Sequence, residues 1–237
     1  MALPKLNTAP KYALTIPSTG QEIYYRPFLV KEQKVLLIAY ESKDRKQVVK
    51  AILDTVEACV ESDNVSVHAL TTFDVDYLFT QIRAKSVGEK VDLRIKCTHC
   101  EHFNDVSVNL EEIEVPNVEG SKIVELNDEI SVKLQYPSYT QFIRNPKILE
   151  SESDTETIME IIISCMESIQ TEEENILLKD EPREEVVKFL DSMTSEQFDK
   201  ISDFVQKMPA MKKDVAFECA SCSETSNVVL QGIDDFF

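Results

Sequence analysis

An α+β fold, in which short β-hairpins and a composite four-cysteine zinc ribbon alternate with helical subdomains, is what this sequence predicts. Three observations predict it. Apolar residues change from a period of 3.6 to a period of 2 after Gly88, and return to the helical period at Thr155. Two Cys-x-x-Cys motifs, Cys97-Thr-His-Cys100 and Cys219-Ala-Ser-Cys222, each lie between alternating runs. Hydrophobic residues make up 43% of the 237, enough to build a core and to exclude wholesale disorder.

Taken in order, Tyr12–Pro17 and Glu22–Arg26 are two β-rich runs around a Ser18-Thr19-Gly20 turn, the signature of a hairpin. Pro27 ends the strand, and Val30–Glu41 reads as a helix with Val35, Leu36, Ile38 and Ala39 in one apolar stripe. Arg45–Val60 is a second helix and Thr72–Lys85 a third, closed by Gly88. Val91, Leu93 and Ile95 then alternate with charged residues as a half-buried strand, with a return strand at Phe103–Leu110. Lys122–Leu126 and Glu129–Tyr136 predict another hairpin. Thr155–Gln170 reads as helical throughout, with Ile158, Ile161, Ile162, Cys165, Met166 and Ile169 on one side. A further helix starts near Pro182, and the last opens on the capping-box spacing Thr194–Gln197. Val215–Glu218 and Val228–Leu230 are the closing strands. No repeat of solenoid period is present, and the acidic run Glu150–Glu156 is the best candidate boundary. The expected organisation is 1-88, hairpin plus helices; 89-149, a β-rich region with the first knuckle; 150-213, helical; and 214-237, the second knuckle. These four segments are expected to interlock as one unit.

The cysteines carry the strongest chemical signal. A two-residue gap lets both sulfurs of a turn face one ion, and two such turns supply four thiolates, the closed tetrahedral shell of structural zinc. Cys97, Cys100, Cys219 and Cys222 are therefore the predicted ligands of one Zn2+, although 118 residues separate Cys100 from Cys219. Such a site has no open position for water, so it would support folding and not hydrolysis. Two disulfides or four thiols without metal are the competing readings. A redox Cys-x-x-Cys normally opens a helix in a βαβ unit, a setting neither copy has. His99 or His102 could replace a cysteine, but four sulfurs need no help. Cys59 and Cys165 sit on helical apolar faces as small hydrophobes.

Charge narrows the partners. With 25 Lys+Arg against 43 Asp+Glu the chain carries −18, which argues against general nucleic-acid binding and against anionic lipid. Four glycines, with no Walker loop and no Gly-x-Ser-x-Gly elbow, leave no phosphate cradle or nucleophile elbow. His68 has no catalytic companions, and no carboxylate pair stands out as acid and base, so neither a catalytic residue nor a small-molecule substrate is expected. No apolar run reaches the ~20 residues of a membrane span and the N-terminus lacks a signal-peptide pattern, so a reducing cytoplasm is the expected compartment. Lys85, Lys90, Arg94 and Lys96 precede the first knuckle, and Lys207, Lys212 and Lys213 the second. If the ribbon closes, they could gather into a basic patch, which keeps a zinc-ribbon nucleic-acid or transcription adaptor as the alternative function.

Ile16-Pro-Ser-Thr-Gly20, Tyr25-Arg-Pro-Phe28, Val30-Lys-Glu32 and Leu36-Leu-Ile-Ala39 together resemble the baseplate proteins of T-even-type contractile-tailed phages. Ile82-Arg83, Lys85-Ser-Val-Gly-Glu89 and the first knuckle are similar too, so the likeness covers about the first 110 residues. The resemblance implies a non-enzymatic role in building the baseplate hub, as an assembly factor or a retained subunit. It implies other baseplate or hub proteins as partners, in the host cytoplasm during assembly or in the virion tail. Tyr24, Tyr25 and Arg26, types common at interface anchors, and the terminal Phe236 and Phe237 are the candidate partner contacts. The two phenylalanines could equally fold back onto this chain's own core.

Overall fold

The computed structural model describes residues 10–116, 118, 120–150 and 153–236. It is α+β, and its chain divides into two compact units. The first takes in Met1–Val67, Phe73–Pro116 and Ala210–Phe237; the second takes in His68–Thr72 and Asn117–Pro209. Among the described residues no helix is long and apolar enough to cross a membrane.

The first unit opens with the expected hairpin, β1 (Tyr12–Thr15) against β2 (Glu22–Tyr25), in the register Tyr12↔Tyr25 to Thr15↔Glu22. Gly20 supplies the positive φ of 68° that the turn needs. The turn is clamped by Asp74, whose carboxylate accepts from the Ser18 N–H at 2.9 Å and the Ser18 hydroxyl at 2.6 Å. Helix α1 (Val30–Ser42) ends where Lys43 turns left-handed, and α2 (Arg45–Cys59) starts on Asp44, which accepts from the Lys46 and Gln47 N–H groups. The stripe read for α1 divides in space. Leu36 and Ala39 are buried, while Val35 and Ile38 face solvent. Helix α3 (Thr72–Ser86) runs through the interior, with Val75, Leu78 and Ile82 fully buried, each contributing about 2 kcal/mol of hydrophobic stabilisation. Strands β3 (Lys90–Lys96) and β4 (Phe103–Asn109) follow as an antiparallel pair.

In the second unit, β5 (Lys122–Glu125) and β6 (Ser131–Leu134) form the predicted hairpin. Two short helices that periodicity did not reveal, α4 (Tyr139–Arg144) and α5 (Pro146–Glu150), precede α6 (Asp154–Cys165). The helix read through Gln170 stops at Cys165. Met166–Gln170 is instead strand β7, which pairs with β6 on one side and with β8 (Asn175–Leu177) on the other. As an inner strand of the β5-β6-β7-β8 sheet it buries Met166, Ser168 and Ile169, so it shows no in–out alternation and its apolar spacing passes for helical. Helices α7 (Arg183–Asp191) and α8 (Ser195–Gln206) complete the unit. Pro182 and Thr194 stand at their N-caps, and Thr194 and Gln197 close the capping box. The core joins Val132, Leu134, Ile162, Ile201 and Phe204, with Tyr136 stacked on Phe204 at 4.8 Å.

The chain then returns to the first unit as β9 (Lys212–Glu218) and β10 (Thr225–Gln231), again antiparallel. Their inner side chains Val215 and Leu230 share a core with Ile95, Val108, Leu110, Ile113 and Phe236.

Candidate metal centre

The second cysteine hairpin repeats the first 122 residues later. Strand lengths agree, and so does register: Lys90↔Asn109 and Lys96↔Phe103 in one, Lys212↔Gln231 and Glu218↔Thr225 in the other. The knuckles agree bond by bond. The Cys97 N–H donates to the His102 carbonyl at 2.9 Å, as that of Cys219 does to Glu224 at 3.0 Å. The Glu101 N–H returns to the Cys97 carbonyl, and that of Ser223 to Cys219. Glu101 and Ser223, which follow the second cysteine of each motif, adopt left-handed backbone with φ of 57° and 58°, which turns the chain back into the return strand.

Each hairpin also reaches across to the other. Ser226 is fully buried; its hydroxyl donates to Cys97 Sγ at 3.3 Å and accepts from the Thr98 N–H at 3.2 Å. At the equivalent position Asn104 donates through Nδ2 to Cys219 Sγ at 3.6 Å and accepts through Oδ1 from the Ala220 N–H at 2.9 Å. The N–H groups of His99 and Ser221 add a bond to Cys97 Sγ and Cys219 Sγ. The result is a reciprocal lock around four sulfurs. Sequence reasoning missed Asn104 and Ser226. The signal was available: each lies seven residues after the first cysteine of its motif, within an offset that also aligns Asp92 with Asp214 and Val106 with Val228.

The four sulfurs lie within 4.8 Å of one another, with Cys97–Cys222 at 3.7 Å and Cys100–Cys219 at 3.6 Å. All six cysteines are thiols. Cys97 and Cys219 are buried, whereas Cys100 is exposed. Hydrogen bonds, that of Ser226 foremost, hold the Cys97 thiol down at about 6, and those from backbone N–H groups, that of Cys222 foremost, lower Cys219. At Cys222 the Glu224 N–H pulls downward, but burial and the three neighbouring sulfurs prevail and push the thiol up to about 12. Four thiolates this close would repel one another unless a cation neutralised them, so the group is suited to a metal ion. Neither His99 nor His102 belongs to it. Cys59 and Cys165 are buried elsewhere, their thiols pushed up to about 11 and about 12 by desolvation.

The candidate partner contacts are placed differently from one another. Alternation along β2 leaves Tyr24 49% exposed and turns Tyr25 inward, where burial raises its hydroxyl to about 12. Arg26 folds over the end of α2, donating to the Ala58 carbonyl at 2.7 Å and pairing with Glu32 at 3.0 Å. Phe236 is fully buried in the first unit's core because the chain turns back after β10. Phe237 lies outside the described residues. Tyr25, Arg26 and Phe236 thus serve this chain's own packing. The lysines read as a patch are partly neutralised: Lys85 pairs with Glu89 and Glu111, Lys213 with Glu112, and Lys207 with Asp203. Arg94 and Lys96 lie over the Phe103 ring.

Fold and site define an α+β protein whose first unit holds two matching cysteine hairpins with their four sulfurs gathered together. The chain belongs to the family described as T4 bacteriophage base plate protein, which it matches over residues 9–237. It is similar to the "Baseplate hub assembly protein gp26" of Enterobacteria phage T4, with 25% identity over 228 residues, covering 96% of this chain and 98% of that protein. No solved structure matches.

Proposed function

We propose that the chain is a non-enzymatic assembly factor or structural subunit of a contractile-tail baseplate hub, acting through protein contacts on a zinc-stapled scaffold. The observation that carries this reading is the family match over nearly the whole chain, joined by a hub-assembly relative of equal extent. Its partners are other baseplate or hub proteins. It works in the host cytoplasm while the hub forms, and in the tail if it is retained.

Zinc is the metal that suits the donor set. Four thiolates at about 2.3 Å from a tetrahedral Zn2+ stand roughly 3.8 Å apart, close to the 3.6 and 3.7 Å separations of the two cross-hairpin pairs. Cys97, Cys100, Cys219 and Cys222 would hold the ion, which would neutralise their charge and join the two hairpins. Four protein ligands fill the shell and leave no position for a substrate.

The test is deletion of the gene from the phage that encodes it. Hub intermediates should then fail to form, and supplying the intact chain should restore them. Infectious particles at normal yield without the gene would overturn the reading. Quantifying the chain in purified tails separates a departing factor from a retained subunit.

A further inference from the structure

Four thiols can be joined in more than one way, and the hydrogen bonds around them favour one. Cys97 and Cys219 are buried, and a side chain of the opposite hairpin holds each sulfur. Ser226 donates to Cys97 Sγ at 3.3 Å and Asn104 to Cys219 Sγ at 3.6 Å. Each buried sulfur is thereby kept against the other hairpin. There it meets the second cysteine of the other motif, Cys97 lying 3.7 Å from Cys222 and Cys219 3.6 Å from Cys100. Cys100 is exposed and Cys222 partly so. Both cross-hairpin pairs thus set an accessible thiol against a sheltered one, the arrangement of an attacked and a resolving cysteine. Cys59 and Cys165 are buried outside the cluster.

We propose that the cluster is a redox-convertible staple, in which a hydroperoxide forms two disulfides, Cys100–Cys219 and Cys97–Cys222, that tie the hairpins together covalently. The exposed Cys100 thiolate attacks one peroxide oxygen, the O–O bond breaks, and hydroxide leaves with Cys100 as the sulfenic acid. The Cys219 thiolate then attacks Cys100 Sγ and expels the sulfenic oxygen as a second hydroxide. The peroxide gains the two electrons that the two sulfurs give up, and a bound cation is released. Cys222 and Cys97 repeat the step with a second peroxide.

Compartment gives the conversion a direction. Thiols persist in a reducing cytoplasm and disulfides outside it. A copy retained in the tail is therefore locked after release from the cell, and a copy that departs during assembly is not. That consequence rests on the baseplate reading, whereas the chemistry needs only the four thiols.

The experiment treats the full chain with hydrogen peroxide, both zinc-loaded and after chelation, and maps disulfides in unreduced peptides by mass spectrometry. Cys100–Cys219 should form first and Cys97–Cys222 after it, with Cys59 and Cys165 still thiols. Cys100→Ser should leave Cys97–Cys222 as the only link. A measurement on the parent chain covers the case in which that variant fails to fold. With chelator present, amide exchange in the β3–β4 and β9–β10 ladders should be about a thousandfold slower in the oxidised chain than in the reduced one. A thiol reductant should reverse this. Links within one motif or between chains overturn the inference, as does Cys100 carried on to sulfonic acid without a link. So do cross-hairpin links that leave exchange unchanged, and thiols that survive peroxide after chelation. Failure of the zinc reading would show separately, as no metal on the untreated chain in a native mass spectrum, and failure of the assembly reading as normal hubs in the absence of the gene.

Discussion

Asn104 and Ser226 do at the four-sulfur cluster what the cysteines cannot do for themselves. Each donates to a sulfur of the opposite hairpin and accepts from the N–H beside it. Removing either side chain takes away the acceptor of a half-buried N–H, at a cost of about 0.5–1.5 kcal/mol. It also frees a ligand to wander, which for outer-shell partners typically weakens metal binding 10–100-fold. Asn104→Ala and Ser226→Ala should therefore weaken zinc binding to a similar degree in a chelator competition, and both should melt lower, while Cys97→Ser should lose more than either. Zinc affinity equal to that of the parent would show that the ligands hold themselves in place. The clustering of the cysteines was legible because two cysteines at a fixed gap form a recognisable pair wherever the chain puts them. Asn104 and Ser226 were not, because their role depends on which hairpin each faces, a relation between residues more than a hundred positions apart.

At the scale of elements, legibility followed burial geometry. The helices and strands with one wet face, α2, α8, β3 and β6, were read close to their observed limits. Apart from the short helices α4 and α5, the misreadings fell where that contrast disappears: β7 is buried between two strands, and α1, right in extent, is apolar on both sides, so its buried stripe was misjudged. Helix α3 is nearly all interior, and the spacing of Val75, Leu78, Phe79 and Ile82 carried the reading. It also holds Asp76, whose carboxyl is pushed up to about 7 by burial, with a smaller contribution from Asp234 in the C-terminal segment. The ordinary value for Asp is near 3.8, so between that pH and about 7 the folded chain keeps a proton that the unfolded chain has lost. Folding then binds a proton, and the contribution of Asp76 to stability, present in acid, is lost as pH rises through about 7. Asp76→Asn removes the titration. Urea unfolding should find the variant more stable than its parent by about 1–3 kcal/mol at pH 8, with the gain shrinking toward pH 4.5. A difference that does not change with pH would mean that the carboxyl ionises freely in the fold.

The whole molecule poses a connectivity problem. Its first unit is built from stretches on either side of the second, and 118 residues separate the inner cysteines of the ribbon. A cross-link closing a loop of that order removes roughly 4–5 kcal/mol of chain entropy from the unfolded state on the loop-closure account. Metal binding at the four sulfurs should supply such a link, since a preformed ion site does not survive unfolding. The second unit has its own core and contains none of the four cysteines. Metal removal should therefore act on one unit and spare the other. With a strong chelator at neutral pH, amide hydrogen exchange should speed up by about a thousandfold, the equivalent of roughly 4 kcal/mol, in the β3–β4 and β9–β10 ladders. The β5–β8 sheet should keep its protection. Equal acceleration in both would mean that the chain opens as a single cooperative body. No acceleration in either would mean that the shared apolar core around Ile95, Val108, Val215 and Leu230 closes the ribbon unaided, with the sulfurs gathered by packing and not by an ion.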